Sequence, residues 1–215
     1  MVQKKWALLT MSSLSLFMVA CDDSENLEEM QEAASEIDRI KNESVDVLNQ
    51  LVDTENQLQD QFNETMETDE DLTTFGDGSS AVFENIEARE TILSQLDEKE
   101  SEMEAHQELL ATYEGELLNQ EEIDQVISSV DDFTEHLSLY TDVYASTLDS
   151  QSAYFTSLAN EETEYEDFVE GIETLNEERD SLREQLADLD GMIVELDDNL
   201  TQLQSTIDDL LTEEE

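Results

Sequence analysis

Apolar residues recur along most of this chain at alternating steps of three and four, the heptad signature of helices that pack along a seam. Four segments carry it. The first, residues 24–68, reads Met30, Ala33, Ile37, Ile40, Ser44, Val47, Leu51, Thr54 and Leu58, then drifts to Phe62 and Met66. The second, 81–118, is the weakest: Val82, Ile86, Arg89, Leu93, Leu96, Glu100, Met103, Gln107, Leu110 and Leu117. The third, 121–158, runs from Ile123 through Phe133, Leu137, Tyr140 and Tyr144 to Gln151, Tyr154 and Leu158. The fourth, 162–212, runs from Tyr165 and Phe168 to Ile207 and Leu210, and only Arg179 leaves its apolar register.

Three breaks separate these segments. Residues 69–80 contain Phe75-Gly76-Asp77-Gly78, the one glycine-rich stretch, and Ser79 or Ser80 can cap the helix that follows. Asn119 and Gln120 form the second break, Ala159 and Asn160 the third. Connections this short force neighbouring helices to run antiparallel. The expected fold is therefore all-α, an elongated antiparallel helical bundle or coiled coil of about four long helices. The fourth helix, about 50 residues, spans roughly 75 Å. Its C-terminal end should overhang the third and pair with the N-terminal half of the first.

Composition reinforces this picture. The chain has no proline and five glycines in 215 residues, whereas turn-rich sandwiches and enzyme folds draw heavily on both. Charge changes it more. Aspartate and glutamate number 59 against 8 lysines and arginines, a formal net charge of −51. Nucleic acid is excluded as a partner, because neutralising phosphates takes lysine and arginine. Docking on anionic headgroups by electrostatics is disfavoured for the same reason. Acidity with so little lysine points to a salty, halophilic setting, since at roughly 1 M salt the Debye length falls to about 3 Å and self-repulsion is screened.

The N-terminus has its own pattern. Lys4 and Lys5 precede an uncharged, mostly apolar stretch from Trp6 to Ala20, which stops at Cys21-Asp22-Asp23. It is short of the about 20 apolar residues a spanning helix needs and matches the h-region of a signal peptide. Met18-Val19-Ala20-Cys21 resembles the lipobox of bacterial lipoproteins, with Met18 where leucine is usual. That resemblance implies cleavage between Ala20 and Cys21 and a covalent diacylglycerol lipid, of palmitate type, on the Cys21 thiol. Cys21 is the one cysteine in the chain, so it has no internal disulfide to make. The expected organisation is a signal peptide over 1–20, a lipidated tether over 21–28, a helical extracytoplasmic domain over 29–212 and an acidic end over 213–215. The expected location is the extracytoplasmic face of the cell membrane, held by lipid.

Lipobox, helices and charge in this order resemble the YkyA-type cell-wall-binding lipoproteins of Gram-positive bacteria. The likeness is carried by Ile86-Glu87-Ala88-Arg89-Glu90 running into Leu96-Asp97-Glu98-Lys99-Glu100, by Tyr140, Tyr144 and Tyr154, and by residues 172–176. It covers nearly the whole chain and implies contact with peptidoglycan or another wall polymer. The chain departs from the family's lysine-rich pattern, and anionic wall polymers repel an acidic surface unless salt or bridging divalent cations intervene.

Little else carries chemistry. No nucleophile-elbow, phosphate-loop or HExxH pattern occurs, and His106 and His136 lie on different segments. Carboxylates are too abundant for any pair to be singled out, so no catalytic residue, cofactor or metal site is expected, and the chain is read as non-enzymatic. Asp69, Asp71, Asp77 and Gly78 resemble a calcium loop only superficially, because Thr73 and Thr74 occupy ligand positions. Weak, nonspecific divalent-cation binding is the most they suggest. Arg89 and Arg179 are half of the four arginines and sit in seams, where a polar residue can set register. Pairing with carboxylates across the bundle is the structural expectation, an anion site within the bundle the functional one. The five tyrosines, Tyr113, Tyr140, Tyr144, Tyr154 and Tyr165, suit core packing, or sugar stacking where exposed. Two functions fit: an acidic, membrane-anchored envelope scaffold that contacts the wall, or a regulatory or chaperone-like coiled-coil module that holds an envelope protein.

Overall fold

The computed structural model describes residues 23–213; the expected signal peptide, its expected cleavage site at Ala20 and Cys21, and the last two glutamates lie outside the described residues. The described chain is helical, with six helices: α1 Asp23–Glu55, α2 Leu58–Thr68, α3 Thr73–Gly76, α4 Ala81–Leu110, α5 Gln120–Ser157 and α6 Tyr165–Glu213. The four long ones, α1, α4, α5 and α6, pack in a ring in that order, each antiparallel to the next. At 49 residues, α6 extends about 74 Å. Helix α1 begins inside the stretch expected as a tether, and Leu27 is already buried.

The seams close on one another. Met30, Ile37, Ile40 and Leu51 of α1 meet Leu96 and Met103 of α4, Val126, Phe133, Leu137 and Tyr144 of α5, and Leu196, Leu203 and Ile207 of α6 in one buried core. As expected, the C-terminal half of α6 lies along the N-terminal half of α1: Gln31 Nε2 donates to Asp208 Oδ1 at 2.5 Å, and Lys41 bridges to Asp197.

Helix limits differ from the sequence reading in two places. The first segment is not continuous to Thr68. It breaks at Asn56 and Gln57, where the Thr54 carbonyl is taken by Asn85 Nδ2 of α4 at 2.7 Å and by Gln57 N at 3.2 Å instead of continuing the ladder. The drift of the seam after Leu58 is the trace of this bend. The second segment ends at Leu110, eight residues early. Residues 111–119 instead wrap around Tyr113, whose phenol oxygen accepts from Leu117 N at 3.0 Å and Leu118 N at 2.8 Å. A side chain at Gly115 would meet that oxygen at 2.5 Å, so the turn needs glycine there.

Beyond the α1 break, α2 and α3 fold over the end of the bundle. Phe62, Phe75 and Phe155 pack there with ring centroids 5.7–6.1 Å apart, and Phe168 joins them. Ser80 is the residue that caps α4, accepting from Val82 N and pairing with Thr65 of α2 at 2.9 Å. Asn119 caps α5 in the same way, accepting from Glu121 N at 3.0 Å.

Candidate functional site

Six lysines and arginines fall among the described residues, and four of them bridge helices. Lys41 joins α1 to α6 through Asp197 while also holding Asp38 of its own helix at 2.7 Å. Burial works against the charge of Lys41, but the two aspartates outweigh it and hold the ammonium above its usual pKa. Lys99 of α4 reaches Glu43 of α1 at 2.9 Å. In so acidic a chain the cations are placed where opposing carboxylate faces would otherwise separate the helices.

The other two bridging cations are Arg89 and Arg179, and they belong to one network. Arg89 is fully buried. It donates from Nη2 to Gln151 Oε1 at 2.6 Å and from Nη1 to Tyr144 Oη at 3.3 Å, both on α5. Tyr144 donates in turn to Glu55 Oε2 at 2.8 Å. Arg179 of α6 pairs with Glu55 Oε1 at 3.2 Å and donates from Nη2 to Asn56 Oδ1 at 3.2 Å. All four long helices thus contribute to a cluster centred on one carboxylate. Arg179 pairs as expected. Arg89 differs: its direct partners are neutral, and it reaches Glu55 only through Tyr144. The reason is depth, since a fully buried guanidinium on this seam faces the seam residues of α5 rather than the solvated carboxylates. Burial raises the Tyr144 phenol well above its ordinary pKa, so it remains a donor.

Against this cluster lies a cavity of about 140 Å³, formed where α1 ends and α2 turns away. Glu55, Asn56, Gln59, Gln151, Asn176 and Arg179 supply its polar wall. Leu58, Phe62, Phe155, Ile172 and Leu175 supply the apolar one. An apolar pocket with a few converging polar groups is the usual form of a small-ligand site. Sequence periodicity gave no hint of it, because the cavity exists only through the α1 break.

The remaining candidates disperse. Asp69 accepts from Thr74 N and Thr74 Oγ1, both at 2.7 Å, and Asp77 from Ser79 N at 3.0 Å. The loop carboxylates therefore act as local caps. These bonds, the Thr74 amide first, hold Asp69 below its usual pKa. Among the described residues no His, Cys, Asp and Glu side chains gather in a metal-binding group. Tyr113, Tyr140 and Tyr144 are buried, as core packing requires. Tyr165 is not: it is 81% exposed, stacked on Phe168 at the first turn of α6.

The family model of the YkyA proteins, described as "Putative cell-wall binding lipoprotein", matches residues 25–206. The chain belongs to the YkyA family. The matched span runs from the first turn of α1 nearly to the end of α6, so this YkyA chain carries the whole bundle, cavity included. The family is one of envelope lipoproteins, described by binding rather than by catalysis. No curated protein and no solved structure matched the chain.

Proposed function

We propose that this YkyA-family chain is a non-enzymatic lipoprotein, held by a lipid on Cys21 at the extracytoplasmic membrane face. Its acidic bundle stands as a rigid scaffold and contacts the wall. The observation that carries the reading is the family match over 25–206, which begins just after the lipobox-like Met18-Val19-Ala20-Cys21. The start of α1 at Asp23 supports it, because a lipid on Cys21 would then join a rigid helix almost directly. The end built from α2, α3 and the start of α6 would stand about 70 Å from the membrane.

Electrostatics give the lipid its purpose. A surface this acidic cannot stay at an anionic membrane by its own charge. One acyl chain binds only reversibly, whereas two give stable anchoring. Contact with wall polyanions then depends on salt or bridging divalent cations. The competing reading, a module that holds an envelope protein through an open coiled-coil face, has less support. Leu196, Leu200, Leu203 and Ile207, which would form that face on α6, are buried against the other helices.

Two measurements test the proposal. Cys21→Ser should leave the helices folded while releasing the protein or leaving its precursor uncleaved; processing and membrane retention at the original level would refute the lipid anchor. Purified peptidoglycan should retain the full-length protein at some point of a salt series. Failure at every salt and divalent-cation concentration would refute wall contact.

A further inference from the structure

The cavity at the α1 break has a polarity that specifies what it takes. A guanidinium can only donate, so each carboxamide it touches must present its oxygen. Arg89 ties up the oxygen of Gln151, and Arg179 ties up that of Asn56. The NH₂ ends of both amides are thereby left as donors with no protein acceptor among the described residues, Gln151 buried beside the cavity and Asn56 on its exposed side. Gln151 is 5% exposed whereas Asn56 is exposed, so Gln151 is the donor with the more limited access to water. One ligand oxygen can take both donors in place of water.

That oxygen is not an anion's. The net charge of −51 disfavours a carboxylate or phosphate, and Arg179, the one cation lining the cavity, is already paired with Glu55, whereas a neutral carbonyl needs no free cation. Phe62, Phe155 and Ile172 add an apolar surface to the same cavity. The volume of about 140 Å³ is close to that of an engineered cavity, about 150 Å³, that admits benzene. It is too small for a sugar ring with its hydroxyls but suits a substituent of one. We propose that this cavity binds the N-acetyl group of an amino sugar, with the carbonyl on Asn56 and Gln151 and the methyl against the phenylalanines. Arg89 and Arg179 are then positioning residues that fix the direction of the two amides. The inference rests on the wall-contact reading and names its ligand class: an N-acetylated, uncharged glycan.

The test uses full-length protein in detergent micelles at high salt, with the β-1,4-linked trimer of N-acetylglucosamine as probe. The matching trimer of glucose, equally neutral but without acyl groups, is the control. Saturation-transfer NMR should show transfer strongest at the acetyl methyl, and the glucose trimer should bind at least tenfold more weakly. Asn56→Asp keeps the acceptor for Arg179 but removes the donor, and Ile172→Trp fills the apolar side. Both should weaken the acetylated trimer at least tenfold with the helical circular dichroism unchanged. Equal binding of the two trimers, binding of neither, or wild-type affinity in both variants overturns the cavity assignment. Peptidoglycan retention is scored on the same samples. If Asn56→Asp is retained as well as wild type, the wall is held elsewhere and the cavity assignment fails alone. If wild type itself is not retained, the wall-contact reading fails.

Discussion

Arg89 allows a quantitative test because its partners can be removed one at a time. It is a fully buried cation whose guanidinium donates to Gln151 at 2.6 Å and Tyr144 at 3.3 Å, with the Tyr144 ring 5.9 Å away. Gln151→Leu strands the charge with one neutral partner. A lost hydrogen bond to a buried charge costs about 1.5–3 kcal/mol, which sets the expected destabilisation. Arg89→Met instead removes the charge and leaves the Gln151 oxygen unsatisfied, costing about 1–2 kcal/mol. The double variant removes both ends, and replacing a buried polar group together with its partner by apolar side chains is often neutral. It should therefore lie within about 1 kcal/mol of wild type, a coupling of at least about 1.5 kcal/mol. Urea unfolding followed by circular dichroism at fixed high salt measures this, since urea leaves ionic strength unchanged and the midpoint reports stability while the slope stays constant. Single variants as stable as wild type, or a double variant destabilised by the sum of the two, would refute the account of Arg89 as a core charge held by Gln151 and Tyr144.

Lys41→Met should cost no more than about 1 kcal/mol at neutral pH, because Asp38 and Asp197 stay solvated when the lysine is gone. The folded-state pKa of Lys41 is raised, so its contribution is fully present below the ordinary lysine value of about 10.4 and is lost as pH rises through the higher folded value. Urea midpoints of wild type and variant should keep a constant gap from about pH 6 to 9, and a changing gap there would contradict the assignment. Gly171→Ala places a methyl 2.0 Å from the Tyr154 ring, which also donates to the Phe168 carbonyl at 3.1 Å. The clash, about 1–3 kcal/mol, should outweigh the about 1 kcal/mol helix-propensity gain, so thermal melts should show lowered stability rather than a rise. Glu100→Gln should raise the melting temperature at pH 7 by up to about 2 °C. Burial, then Glu104, Asp97 and Asp142, push the Glu100 carboxyl above its usual pKa. The advantage should fade as pH falls through that raised value, since the wild-type group then takes up a proton in the folded state.

Much of the bundle was legible because seam positions repeat whatever their neighbours do. Leu93, Leu96 and Leu110, from the weakest of the four patterns, are all buried. The same regularity hid the interruptions. Leu110 and Leu117 stand seven apart, so the seam runs through Gly115, although the chain there coils around the Tyr113 hydroxyl. Asn56 gave no local signal of a helix break, because the break is made by Asn85, 31 residues beyond Thr54, capturing the Thr54 carbonyl. Arg89 and Arg179 stood out as seam exceptions, but nothing in their spacing placed both in one network around Glu55.

By itself, the sequence determined the helical class, the antiparallel order of the long helices, the acidity and the candidate lipid site at Cys21. Each of these follows from local composition or from a period that acts within a few turns. Only the tertiary structure decided where α1 breaks, how α2 and α3 close the end of the bundle, and which side chains surround the cavity. Those outcomes depend on polar groups meeting across distant helices. A buried carbonyl or guanidinium must find a partner, but periodicity does not say which one comes within reach. The opening where α1 breaks, lined by Asn56 and Gln151, is a product of that pairing.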